Sequence, residues 1–243
     1  MALCTLTGLV LASSNVGEFD KRLVILTRER GKVTAFGKSC RRPNNPLIAA
    51  TSPFCFGTFE AYEGRNSYHI SKAEISNYFR DLTLDYDKVC IGSYFLEMAE
   101  YKAMEGVDER QRLALLYQSL KAIESGRFSL TLLRDIYELK SYVIDGEYPE
   151  VFRCVKCGEK EAKKLNTFSQ RLHGCLCDRC VATEGGTDIS QTVLYAMQFI
   201  ISMPIEKLYT FVLNAEIEKA LTQLLGNYRS NNHNHIYKSE VFL

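Results

Sequence analysis

No run of apolar residues in this 243-residue chain reaches the ~18–20 needed to cross a bilayer. The apolar opening MALCTLTGLVLASS has no basic segment before it, and its Thr and Gly interruptions suit a strand better than a secretion signal. There is no internal repeat and no low-complexity tract. A phosphate-cradling G-x-x-x-x-G-K-S/T, a G-x-S-x-G nucleophile turn and a carboxylate cluster of the two-metal nuclease kind are all missing. These absences give no support to a membrane protein or to the commonest hydrolase classes. They predict a globular cytoplasmic protein that is not an enzyme and has no membrane partner. A hydrophobic content of 46% with 24% charged residues fits that class.

Net charge is nearly absent too, at +1, but the balance is uneven along the chain. Residues 1–80 carry eleven Lys/Arg against six Asp/Glu, and the remainder carries nineteen against twenty-three. A basic first third on a mildly acidic remainder points to two parts with different partners, the first a candidate polyanion binder.

The strongest chemical signal is Arg153–Cys180, RCVKCGEKEAKKLNTFSQRLHGCLCDRC. It contains two C-x-x-C pairs, Cys154/Cys157 and Cys177/Cys180, separated by 19 residues. Each pair can turn two sulfurs toward one metal, and two pairs supply the closed tetrahedral thiolate set of structural Zn²⁺. A fully protein-ligated ion leaves no open position for a substrate, so one structural zinc is expected. Cys175 could compete as a ligand, although a C-x-C step in extended chain sends its side chains to opposite sides. His173 could enter a Cys₃His variant. Two disulfides or a redox dithiol is the alternative, and nothing else in the chain points to an oxidising compartment.

Residues 3–75 read as β structure. Leu6–Ala12, Arg22–Thr27 and Lys32–Gly37 are short apolar and β-branched runs between breakers. Phe54–Tyr62 is a long strand, with Phe54, Phe56, Thr58, Glu60 and Tyr62 on one face, and a turn at Glu63–Asn66 leads into Ser67–Lys72. Five strands with one long irregular connection fit a small closed barrel of the OB type. From Ala73 the period becomes helical: Leu82–Met104, Arg110–Glu124 after an Asp108 cap, and Leu130–Ile144. Beyond the cysteines, Gly185–Asp188 reads as a linker and Ser190 caps a helix running to about Met203. Pro204 opens a last helix, Ile205 to about Leu225, closed by Gly226, before a polar loop at 231–235.

Glu18–Arg42 holds eight Lys/Arg against three acids, on strands and a loop of the barrel. Lys21, Arg22, Arg30, Lys32, Lys38, Arg41 and Arg42 are the candidate phosphate contacts, with Arg41-Arg42 before Pro43 the favoured pair. Tyr62, with Arg65 on the adjoining turn, is the candidate base-stacking residue. Tyr68, Phe54 and Phe56 are the other aromatics of that region, with the phenylalanines suited to filling the barrel. Arg110, Arg112, Lys121, Arg127, Arg134 and Lys140 stud the helical part as possible contacts for an acidic peptide.

The order of several short motifs resembles the bacterial RecO family over the whole chain. Gly17-Glu18-Phe19-Asp20-Lys21-Arg22-Leu23, with Ile25–Lys32 (ILTRERGK), is similar to the family's G-E-x-D/N-K/R stretch and the L-T-R-E-x-G-K that follows. Lys38–Pro43 is similar to its K/R-G-x-R-R/K-P loop, the cysteine segment to its metal segment, and Tyr237–Leu243 to its K-S-x-x-F-L ending. Ser39 stands where the family has Gly, and Gly174-Cys175 where it has a double Gly. The resemblance implies an α+β chain: an N-terminal OB-fold β-barrel followed by an α-helical domain with an inserted Cys4 zinc ribbon. The boundaries expected are 1–80 for the barrel, 81–148 and 187–243 for the two helical parts, and 149–186 for the ribbon.

It implies a recombination mediator of the bacterial cytoplasm, associated with the nucleoid. Such a protein binds single- and double-stranded DNA, anneals complementary strands and pairs with RecR. It also binds the C-terminal tail of single-stranded DNA-binding protein (SSB) and indirectly helps RecA load. The alternatives from the residues alone are a zinc-ribbon protein-interaction adaptor and an OB-fold RNA-binding protein.

Overall fold

A computed structural model describes residues 2–232 and 235–243. The chain forms two compact units, one of Met1–Arg127 with Tyr237–Leu243 and one of Phe128–Ile236.

The first unit is built on a closed five-stranded barrel: β1 (Leu3–Val16), β2 (Asp20–Thr27), β3 (Gly31–Gly37), β4 (Phe56–Glu63) and β5 (Tyr68–Asn77). Around the barrel the order is β1-β2-β3-β5-β4, with β3 and β5 parallel and the other pairs antiparallel. β1 serves two neighbours, β4 with its first half and β2 with its second, and an irregularity between Val10 and Ala12 lets it bend. Inward-facing Leu6, Leu23, Ile25, Val33, Phe59 and Tyr68 fill the interior. Closure needs two glycines. A Cβ on Gly8 would lie 2.3 Å from the Leu26 carbonyl oxygen, and one on Gly57 2.2 Å from that of Glu74. The two glycines face each other across β1 and β4.

Between β3 and β4 lies α1 (Leu47–Ala50). After β5 come α2 (Arg80–Thr83), α3 (Tyr86–Lys102) and α4 (Arg110–Ser125). The helix expected over Leu82–Met104 is thus interrupted, because the Asp85 carboxylate accepts from Asp87 N and Lys88 N and starts a new helix. α3 and α4 cover Val24, Leu26, Leu9 and Leu11, the apolar residues on the barrel's outer surface. Tyr237 is buried edge-on to the rings of Tyr94 and Tyr101, and Glu97 accepts from Lys238 N, Ser239 N and Ser239 Oγ.

The second unit is organised on α5 (Leu130–Asp145), capped by Ser129 and buried on nearly every side. Then follow β6 (Leu165–Ser169), β7 (Gly174–Cys177), α6 (Asp178–Glu184), β8 (Thr187–Asp188), α7 (Gln191–Ser202) and α8 (Ala215–Asn232). The strands form a small sheet in the order β7-β6-β8, so the expected linker at Gly185–Asp188 contributes a short strand. The last helix also differs from expectation. Ile205–Thr210 is 3₁₀ in character and broken by a kink at Tyr209, and α8 starts only after Asn214, whose side chain accepts from Ile217 N. It runs through Gly226, around which there is open space, to Asn232. The expected polar loop at 231–235 is therefore helical at its start, and His233 and Asn234 lie outside the described residues.

Three charged residues of α5 are buried. Lys140 donates to the carbonyls of Ile201 (2.8 Å) and Met203 (2.7 Å), closing the C-terminal end of α7. Glu138 takes Arg134 and Arg229, and Asp135, 2% exposed, accepts from Thr222 Oγ1 at 2.6 Å. Burial raises the Asp135 carboxyl to about 7, helped by the charge of Glu138 and opposed by Thr222, Arg229 and Arg134. Between the ordinary carboxylate range and that value, the folded chain holds a proton that the unfolded chain has released. Stability must then fall as pH rises from about 4 to about 7. Asp135→Asn is expected to flatten that decline and to gain stability above pH 7, by about 2–4 kcal/mol on the linkage relation. Urea unfolding of both proteins between pH 5 and 8 checks this, and parallel profiles would rule it out.

Candidate nucleic-acid interface and metal centre

Lys21, Lys38, Arg41 and Arg42 lie where the β1–β2 turn meets the loop after β3. Asp20 Oδ1 accepts from Ser39 N at 2.6 Å, and Phe19 O accepts from Arg41 N at 2.9 Å. Ser39 has φ 54, in the left-handed region that glycine adopts freely, so the loop keeps a glycine-like turn there without glycine. Arg41 Nη1 donates to Glu18 O at 3.0 Å, and the Arg42 guanidinium stacks on the Phe19 ring, 4.7 Å from its centroid. Both arginines stay exposed, held against the turn rather than neutralised by an acid.

The other candidates divide by what holds them. Arg22, Lys38 and Arg65 are exposed and Lys21 is half-buried, and none of their side chains has an ion pair among the described residues. Arg30 lies 3.7 Å from Glu63 in an exposed pair. Lys32 is half-buried and its ammonium donates to the Glu100 carbonyl at 2.6 Å, a contact that ties β3 to α3. Tyr62 is 44% exposed. Tyr68 is not a surface ring: its side chain points into the barrel at 7% exposure. Phe54 lies off the strand at φ 71 and is buried, so it does not share the Tyr62 face. Phe56 faces outward, but its ring packs on Tyr117 of α4 at 4.6 Å, so it fills the helix–barrel layer rather than the barrel. Phe36 and His69 were not among the candidates. They stack at 6.0 Å on the barrel's outer face, and their adjacency arises only from the parallel pairing of β3 with β5.

The cations scattered over the helices are mostly committed. Arg112 is 4% exposed and donates to Glu109 at 2.9 Å, while Arg134 and Lys140 make the buried contacts already described. Arg110 pairs with Asp108 at 3.4 Å and Lys121 sits over the Tyr117 ring.

In the second unit the four sulfurs of Cys154, Cys157, Cys177 and Cys180 all lie within 4.8 Å of one another, and Cys157 Sγ is 3.6 Å from Cys177 Sγ. A tetrahedral ion with ~2.3 Å metal–sulfur bonds sets its sulfurs ~3.8 Å apart, so four thiolates in this cluster can hold one metal ion. Each knuckle is shaped by backbone. Cys154 N donates to Glu159 O, Gly158 N donates to Cys154 O with φ 76 at the glycine, and Cys177 leads into the first turn of α6. Burial pushes the Cys154 thiol up, but N–H groups of Cys157, Lys156 and Cys177 outweigh it and bring the thiol down to about 6. A cysteine poised to ionise near neutral pH is what metal binding requires.

Cys175 stands apart from the cluster. It is fully buried, and burial followed by the charge of Glu150 pushes its thiol to about 12. Gly174 beside it has no room for a side chain, since a Cβ there would lie 2.5 Å from Glu150 O. His173 is likewise outside the cluster, with its ring edge-on to Tyr228. Arg179, exposed beside Cys157 and Cys177, supplies positive charge next to the sulfurs.

Among the described residues no helix is long and apolar enough to cross a membrane. Two family models match the chain: "Recombination protein O N terminal" over residues 1–79 and "Recombination protein O C terminal" over residues 83–240. The DNA repair protein RecO of Clostridium acetobutylicum is 26% identical over 98% of this chain and 96% of its own length. That of Clostridium novyi is 29% identical over 97% and 91%, and that of Caldicellulosiruptor saccharolyticus 29% over 91% and 89%. With a closed barrel first, a four-cysteine cluster in the second unit and both matches laid end to end, the chain belongs to the Recombination protein O family, whose role is in DNA repair and recombination.

Proposed function

We propose that this protein is a recombination mediator that acts by binding rather than by covalent chemistry. The first unit holds single- and double-stranded DNA through phosphate contacts from Lys21, Arg22, Arg30, Lys38, Arg41, Arg42 and Arg65, with Lys32 in a supporting place. Annealing follows when two strands, their phosphates neutralised, are held close together. The resemblance to the family supports further partners: RecR, the acidic C-terminal tail of SSB, and RecA indirectly, whose loading on SSB-coated DNA would be assisted. It supports a place in the bacterial cytoplasm at the nucleoid. The metal is one structural Zn²⁺, on the chemistry of four thiolates.

The observation that carries this reading is the basic turn-and-loop cluster on an OB-like barrel. Arg41 and Arg42 there are exposed, and neither Arg22 and Lys38 beside them nor Arg65 on the β4–β5 turn is paired with an acid among the described residues. Phosphate binding releases counterions, so affinity must fall steeply with salt. Binding of a labelled single strand to wild type and to Arg41→Ala/Arg42→Ala across a salt series tests it. The double variant is expected to bind more weakly and to lose about 1.4 from the log–log salt slope, ~0.7 per phosphate contact removed. An unchanged slope would move the phosphate path off this loop. No binding by wild type at low salt would overturn the reading.

A further inference from the structure

The registers of the barrel place four side chains in one line across its outer surface. Arg22 on β2 faces Phe36 on β3, Phe36 faces His69 on β5, and His69 faces Tyr62 on β4. The inward neighbours of this row, Ala35, Tyr68 and Ala61, are all buried, which fixes Phe36, His69 and Tyr62 on the outside. Phe36 is half-buried, His69 is exposed and Tyr62 is 44% exposed. The Phe36 and His69 rings lie 6.0 Å apart at 29°. Strands are about 4.8 Å apart, so from Arg22 to Tyr62 the row crosses about 14 Å.

We propose that single-stranded nucleic acid crosses the barrel at right angles to its strands, with successive bases stacked on Phe36, His69 and Tyr62. This rests on the DNA-binding reading above and adds how bases, rather than phosphates, are held. Aromatic rings offer every base a face regardless of sequence, which suits a protein that must act on any strand.

Two contrasts favour a ligand over a purely structural role. On the same outward face of β4, Phe56 is covered by Tyr117 of α4, whereas Tyr62 at the other end of the strand stays open. The row is also flanked by cations able to follow a phosphate backbone. Arg22 ends it on the side of the basic loop, and Arg65 lies on the turn after Tyr62. The acids nearby, Glu60 and Glu63, face Lys72 at 3.6 Å and Arg30 at 3.7 Å in exposed pairs that contribute little.

The test uses the full chain with oligothymidine, an abasic strand of the same length and a duplex. The variants are Tyr62→Ala, His69→Ala and Phe36→Leu, the last chosen to keep the packing of a half-buried ring, with thermal melting to confirm the fold. Each truncation is expected to weaken oligothymidine binding at least about fivefold. The salt slope, abasic-strand binding and duplex binding should stay at wild-type levels. Affinity for oligothymidine equal to wild type in all three would overturn the stacking row while the phosphate reading stands. Equal losses for abasic strand and duplex would overturn it too, making the row a general contact surface. Failure of wild type to bind any of the probes at low salt would remove the DNA-binding reading itself.

Discussion

Cys154→Ser, or a chelator acting on zinc-loaded wild-type protein, is expected to unfold the segment from Glu150 to Asp188. That segment is too small to hold itself together. Its strands have five, four and two residues, shorter than an independently stable sheet requires. A stretch of this length falls below the ~40 residues at which a chain usually needs a metal or crosslink to fold. The four thiols meet within 4.8 Å, which as thiolates without a cation would repel. In small thiolate sites the metal supplies about 10–16 kcal/mol, far more than the segment's other contacts can replace.

Some of it is tied down independently. Leu165 and Phe168 are buried, and the Phe168 ring packs at 6.1 Å against Tyr228 of α8. Loss should therefore start at the knuckles and proceed inward, with α7 and α8 loosened after it. Hydrogen exchange read by peptide should rise first across 153–159 and 177–184 on chelation, and recover on adding zinc. An unchanged exchange pattern and melting temperature in Cys154→Ser would show that the cluster is not a structural metal site.

The cysteine pairs could be read in the sequence because their chemistry depends on local spacing. The strands and most helices could be read for the same reason, since periods of 2 and 3.6 are local properties. What escaped depends on which distant residues meet. Pro204 is a sound helix start by local rules, yet the chain there follows packing. Phe211 is extended and its ring meets Phe199 at 4.8 Å, while Tyr209 meets Phe128 at 6.0 Å, and α8 waits for Asn214. The facing glycines, Gly8 and Gly57, look unremarkable until β1 and β4 pair. The row from Arg22 to Tyr62 draws on four strands, and only their register makes it a line. That Tyr68 is interior depends on the barrel closing, because a two-residue alternation gives the two faces but not which one is interior.

Glu138→Ala is expected to cost about 3–5 kcal/mol, the usual penalty for breaking a buried ion pair from one side. The Glu138 side chain is 3% exposed and accepts from Arg134 Nε at 2.7 Å and twice from Arg229 Nη1 at 2.8 Å, joining α5 to α8. Truncation takes from both guanidinium groups, 16% and 25% exposed, the buried carboxylate they share. A fall in melting temperature of roughly 10 °C follows for a chain of this size. Glu138→Gln should cost less, since it keeps one acceptor oxygen and the packing.

The pH profile separates this account from simple loss of volume. In the wild type, Asp135 is held protonated to about 7 by burial with the help of the Glu138 charge. Without that charge, the positive charges of Arg134 and Arg229 draw Asp135 toward its ionised form. Its pKa falls and the loss of stability between pH 5 and 7 becomes shallower. The Glu138→Ala penalty should therefore shrink as pH rises through that window. A penalty constant with pH would mean that Glu138 contributes only packing, and that the two carboxylates do not sense one another.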